Sequence, residues 1–174
     1  MQFDLFVKLF RLIKSKISIT QQVTPMQKVY TVYDDRPISY NASTNSKKRY
    51  QTAIRDKFII NYKKHYSNLP LTTTLESRII YSSRVQLVKD RADINNISKP
   101  TIDAFVGCIY NDDKQIIQRI ATRYDLSPLK TISIDCSDMP FEVANDINQC
   151  LLSKSVHLLV CSFAPIDRKG LMEA

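Results

Sequence analysis

Asp93, Asn95, Asn96, Lys99 and Asp103 stand close together in the chain, and Asp112 and Asp113 follow a short way on. Carboxylates at fixed separations can hold a divalent cation, which polarises a phosphate and lowers the pKa of water. A lysine beside them can neutralise charge that develops on an oxyanion. These residue types in this spacing suit metal-dependent cleavage of a phosphodiester. They equally admit a structural reading, with Asp93, Asn95 and Asn96 as caps and turn formers and Lys99 and Asp103 as an exposed helix pair. The residues alone leave both open.

The elements that must position this stretch can be read from hydropathy patterning. Residues 75–89 alternate as one long strand or a bent pair and run into Asp90, Arg91 and Asp93. A helix follows, with Asn95 or Asn96 as its cap. Pro100 would then fall in the first turn, where the backbone N–H groups have no intrahelical partner. Ile102, Phe105, Val106 and Ile109 supply its apolar stripe, and Gly107 and Asn111 end it. Residues 116–124 alternate as a further strand. If that strand lay antiparallel beside the one before the helix, Asp93 and the Asp112–Asp113 pair would meet across the helix opening.

Around this centre, residues 29–33 read as a strand and 34–45 as a loop. Residues 47–66 form a helix with Tyr50, Ile54, Phe58 and Tyr62 at i, i+4 spacing. Lys47, Lys48, Arg49 and Arg55 lie on its other turns, and cations interleaved with tyrosines suit a phosphate-tracking surface. A solvated helix face is the plainer alternative. Arg91, Arg119 and Arg123 complete the candidate DNA contacts. A short strand at 131–134 precedes a helix opened by Asp138 and Pro140, with Phe141, Ala144, Ile147 and Leu151 on one face. Residues 156–163 are apolar enough for a central strand. The expected architecture is α+β: a mixed sheet of four to five strands with two to three packed helices.

A chain of 174 residues favours one core, able to bury roughly 70% of its unfolded surface without staples. The domain is expected over 28–174, preceded by an extension over 1–27. In that extension Phe3, Phe6, Leu9, Phe10, Ile13 and Ile17 recur at helical spacing, with Lys8, Arg11, Lys14 and Lys16 between them. Charges interrupt the apolar run too often for a membrane span. Such a helix docks on the domain or a partner subunit, or lies on a membrane surface. The net charge of +8 favours a polyanionic partner.

The counts also exclude. With two glycines the chain has neither a P-loop nor a dinucleotide fingerprint, so no small-molecule cofactor is expected. His65 and His157 cannot make a His-Glu-x-x-His site. The four cysteines form no Cys-x-x-Cys pair, and their apolar neighbours suggest buried thiols in a reducing, cytoplasmic compartment.

Residues 93–107, Asp-Ile-Asn-Asn-Ile-Ser-Lys-Pro-Thr-Ile-Asp-Ala-Phe-Val-Gly, are followed at 110–116 by Tyr-Asn-Asp-Asp-Lys-Gln-Ile. This order resembles the signature of RusA-type Holliday-junction resolvases, Asp-x-Asp-Asn-x-x-Lys-x-x-x-Asp-Ala-Leu and then Asp-Asp-x-Gln-Ile. The resemblance implies a RusA-like homodimer, an endonuclease that resolves four-way DNA junctions with Mg²⁺ (or Mn²⁺ in its place). By position, Asp93, Lys99 and Asp113 would be catalytic, and Asp93, Asn95 and Asp113 would meet the metal. Asn96, Asp103 and Asp112 would support them. Asn95 departs from the pattern, which has a carboxylate there; an amide oxygen coordinates Mg²⁺ but brings no charge. Three expectations follow: an active junction endonuclease, a catalytically weakened relative that binds branched or duplex DNA, or a peripheral membrane protein using Phe3 to Ile19.

Overall fold

The computed structural model describes residues 27–84, 93–126, 133–153 and 155–166. The amphipathic segment, Arg91, the 85–92 connection and the first half of the 131–134 strand expectation lie outside them. The elements in chain order are β1 (Val29–Tyr33), α1 (Thr44–Asn61), β2 (Leu75–Ser83), α2 (Ile94–Asp103), β3 (Ile116–Asp125), α3 (Phe141–Leu152) and β4 (His157–Pro165). Short 3-10 turns occupy Lys63–His65 and Asp113–Gln115. The four strands make one mixed sheet in the order β1-β4-β2-β3. The expected α+β architecture is the one observed, with four strands and three helices among the described residues.

β4 runs antiparallel to both neighbours, pairing Val29 with Phe163 on one side and Ser77 with Phe163 on the other. β2 and β3 are parallel, with Ser77 opposite Arg119 and Tyr81 opposite Arg123. That overturns the antiparallel placement of these two strands. A parallel pair needs a crossover of a dozen or more residues, and α2 with the turn behind it supplies one. Asp113 therefore lies at the start of the parallel pair, while Asp93 lies on the stretch that returns from the end of β2.

One sheet face carries Val29, Tyr33, Ile79, Cys161 and Phe163, all buried. Tyr50 meets Tyr33 edge-on with ring centroids 5.7 Å apart. Phe105 meets Phe58 at 6.0 Å and Phe163 at 5.4 Å. Edge-to-face rings fill such a core without face-on repulsion. The predicted stripe of α1 is the buried one: Tyr50, Ile54, Phe58 and Tyr62 all turn inward. That helix begins earlier than expected, at Thr44, because Ser43 accepts the Ser46 amide and so caps it. It also ends earlier, at Asn61.

α3 packs against β1 and β4. Its buried side chains are Val143, Ile147 and Cys150, whereas Phe141 is 80% exposed. The expected stripe through Phe141 and Ala144 is thus rotated toward Val143 and Cys150, with Ile147 common to both. Residues 133–134 carry no strand.

Candidate active site

Asp93, not Asn95 or Asn96, caps α2: its carboxylate accepts the Asn95 amide at 3.1 Å. Starting the helix there brings Ile97, Thr101 and Ile102 into the core. It also moves Pro100 out of the first turn into the helix body. Proline has no N–H to give the carbonyl four residues back. The carbonyl left over is that of Asn96, and it accepts the Tyr40 amide at 2.7 Å. The proline therefore frees the acceptor on which the loop before α1 is anchored. Asn96 thus contributes through its backbone carbonyl.

α1 clamps the far half of the helix. Tyr50 Oη and Thr101 Oγ1 share a buried hydrogen bond of 2.8 Å, and Gln51 Nε2 donates to Pro100 O at 3.3 Å. Arg55 Nε donates to the Ala104 carbonyl at 2.7 Å. That carbonyl belongs to the helix end, where backbone acceptors lack intrahelical partners. Arg55, a candidate DNA contact, is thus occupied as a cap.

Asn95, Lys99 and Asp103 recur every four residues and form one stripe along α2. Lys99 Nζ is 2.8 Å from Asp103 Oδ1 and 2.6 Å from Asp113 Oδ2. Two carboxylates from different elements thus close on one nitrogen. Their hydrogen bonds, Asp103 first and then Asp113, hold the Lys99 ammonium above its ordinary pKa. The same contact holds the Asp113 carboxyl below the usual carboxylate range. Burial, reinforced by the charges of Asp103 and Asp113, pushes the Tyr110 hydroxyl up. Negative charge therefore dominates around Lys99, and the lysine stays protonated at neutral pH.

Asp113 is positioned by a residue whose role sequence reasoning missed. Gln115 Oε1 accepts the amides of Asn111 at 2.8 Å and Asp112 at 3.0 Å. Its Nε2 donates to the carbonyls of Leu71 and Thr73, both at 2.9 Å. Asp112 completes a capping box by accepting the Lys114 amide. The aspartate and the glutamine three residues later were the available signal. Gln115→Ala is expected to lower stability by about 1–2 kcal/mol, because four partly exposed hydrogen bonds are lost. Cleavage should fall about 10- to 100-fold, as for other residues that orient a ligand. Thermal melts and cleavage rates check this; an unchanged rate would show that Asp113 needs no such support.

Upstream, Gly107 reverses the chain between helix and turn at φ +74°, a conformation that favours glycine. A bulge follows at the start of β3, where Leu75 pairs with Ile116 and Glu76 with Gln118. Bulges of this kind re-aim neighbouring side chains.

The candidate DNA contacts divide among separate surfaces. Lys47 and Lys48 line a cleft of about 320 Å³ with Tyr40, Pro100 and Asp103, directly beside the carboxylates. Lys47 Nζ also bonds Tyr40 O at 3.1 Å and lies 4.9 Å from the Tyr40 ring centre. Arg49 lines a second groove of about 680 Å³ with Arg36, Arg123 and Tyr81. Arg123 stacks over Tyr81 at 5.5 Å. Arg119 is exposed on the edge strand β3.

The structure thus brings Lys99, Asp103 and Asp113 together, with Asp112 next to them and Lys47 and Lys48 across a cleft. Asp93 caps the opposite end of the helix. Among the described residues no group of three or more His, Cys, Asp or Glu side chains gathers as a ready metal cage. Mg²⁺ does not require one. It commonly takes one or two carboxylates and fills the remainder with water and substrate phosphates. The carboxylates of Asp93 and Asp113 and the amide oxygen of Asn95 are hard donors of the type such an ion takes.

No helix among the described residues is long and apolar enough to cross a membrane. No curated protein shows significant similarity to the chain. The family model of endodeoxyribonuclease RusA, by contrast, matches residues 22–135, a span that holds α1, β2, α2, the Asp112–Gln115 turn and β3. The chain belongs to the endodeoxyribonuclease RusA family, a family of Holliday-junction endonucleases acting on branched DNA.

Proposed function

We propose that the protein is a Mg²⁺-dependent endonuclease that resolves four-way DNA junctions as a homodimer, with Mn²⁺ able to replace Mg²⁺. The observation that carries the reading is the closure of Asp113 and α2 around Lys99 Nζ within the family-matched region. Asp113 anchors the cation, with Asp93 and Asn95 as further donors from the first turn of α2. When bound, the cation polarises the scissile phosphate and activates the attacking water. Lys99, kept protonated by its two carboxylates, acts as an electrostatic donor to the phosphate rather than as a base. The raised lysine and lowered Asp113 values leave this pair charged from mildly acidic to strongly alkaline pH. Lysine deprotonation therefore contributes no falling limb to activity below its ordinary pKa of 10.5.

Lys47 and Lys48 take the DNA backbone beside the cut. Each phosphate contact adds about one unit to the salt dependence of binding. The double variant Lys47→Gln, Lys48→Gln should therefore lower the slope of log Kd against log salt by about two units in an anisotropy titration. An unchanged slope would remove these lysines from the interface.

The proposal is tested by incubating the full chain with a synthetic four-way junction and a linear duplex of the same sequence, with Mg²⁺ and with EDTA. Symmetric cleavage of the junction in Mg²⁺ alone is expected, and intact DNA in both samples overturns it. Asn95, neutral where a carboxylate would strengthen the metal site, favours a second reading: a relative that binds branched or duplex DNA without cutting it. Asn95→Asp then creates activity where the natural chain has none.

A further inference from the structure

We infer that α1 is a recognition helix, which lies in the major groove of a duplex arm and reads its bases through Asn45 and Arg49. The inference rests on the DNA-binding reading above and names how that substrate is held. Thr44, Lys47, Lys48 and Gln51 line the cleft beside Asp103. Ser46, Arg49, Tyr50 and Ala53 line the groove that holds Arg36 and Arg123. Each set follows i, i+3, i+4, i+7 spacing and so makes one stripe of the helix. The second set is displaced from the first by two residues, about 200° around the axis. The two grooves therefore flank opposite sides of α1. Cations outnumber acids among the described residues of both: Lys47 and Lys48 against Asp103, and Arg36, Arg49 and Arg123 against Asp35. A helix with its side chains is about 10–12 Å across. The major groove of B-form DNA, about 12 Å wide, admits one. Positive charge on both flanks then meets the two phosphate chains that border the groove. No acid stands in the first turn of α1 to repel them. The face turned toward the bases, opposite buried Ile54 and Phe58, carries Asn45, Arg49, Thr52 and Asp56, all exposed. Arginine pairs bidentately with guanine at the major-groove edge, and asparagine with adenine. α1 is also braced to α2 by the Tyr50–Thr101 and Arg55–Ala104 hydrogen bonds. Seating α1 on chosen base pairs thus fixes where α2 meets the backbone.

A polar helix face that is only solvated must be separated from one that reads bases. Methylation interference on the full chain does this, because guanine N7 lies in the major groove. Four-way junctions of randomised arm sequence, each sparsely methylated at N7, are sorted by gel shift into bound and free fractions. Wild type, Asn45→Ala and Arg49→Ala are compared without Mg²⁺, so that binding is read apart from cutting. Wild type should disfavour methylation at one or two guanine positions of an arm by about tenfold. Arg49→Ala should tolerate methylation there. Asn45→Ala should keep the guanine signal and lose a preference for adenine at a separate position. Both side chains are exposed, so melting temperatures should stay within a degree or two of wild type. Binding by wild type that ignores N7 methylation overturns the recognition role, as does the wild-type pattern persisting in Arg49→Ala; the DNA-binding reading then stands without it. A wild type that binds no junction overturns that reading, and this inference with it.

Discussion

Asp113→Asn is expected to slow junction cleavage by more than about a hundredfold, the upper range for losing a residue that only supports a metal ligand. The swap is nearly isosteric, and the turn is held by Gln115 and Asp112 rather than by the Asp113 carboxylate. The fold should therefore survive, with an unchanged circular dichroism spectrum. Lys99 keeps Asp103 as its partner. The lost rate then reports the missing anion and not a collapsed site. Asp93→Asn makes the informative companion, because asparagine caps a helix about as well as aspartate. A rate loss at constant melting temperature would mark Asp93 as part of the chemistry; melting alone would mark it as a cap. Full cleavage by both variants sinks the site.

Phe163→Ala should cost about 3–5 kcal/mol, the usual range for emptying a buried aromatic site. The ring is fully buried toward the C-terminal end of β4 and lies 5.4 Å from both Phe105 and Tyr110. For a chain of this size the melting temperature should fall by roughly 6–20 °C. The consequence reaches the chemistry through those two neighbours. Phe105 follows the helix that carries Asp103, and Tyr110 begins the approach to Asp113. Without Phe163 the two arms that face Lys99 lose their common backing. Calorimetry on the variant checks the first effect, and residual cleavage at low temperature checks the second. A melting shift under a few degrees would mean that the cavity refills.

Much of this arrangement was legible before folding. β1 could be bounded from its run of β-branched and aromatic residues, all five of them buried, and the aromatic stripe of α1 from its spacing, because burial on one helix face leaves a periodic trace. The helix start at Asp93 was not legible. Three Asx residues in close succession can each accept an amide, and only the packing of Ile97 and Ile102 chooses among them. Strand direction was also hidden, since alternation is the same for parallel and antiparallel neighbours; the intervening helix was the usable clue. α3 offered two apolar stripes, and contact with β1 and β4 selected the one through Val143 and Ile147. The partnership of Lys99 with Asp103 follows from i, i+4 spacing. Its partnership with Asp113 needs the turn of the chain at Gly107, which spacing does not encode. Gln115 was readable from its capping-box position.

The place of β4 bears on how the polypeptide acquires its shape. This strand, the last of the described elements in sequence, is the sole described link between β1 and the rest of the sheet. A ribosome that has released only the stretch matched to the RusA family has delivered every described acidic and lysine group of the site, yet not the ribbon that joins the sheet's two halves. Sheet closure must wait for distant chain ends to meet, which is a slow step. Cutting the gene down to the matched stretch should accordingly yield an aggregating product with all of its chemistry encoded and none of it assembled.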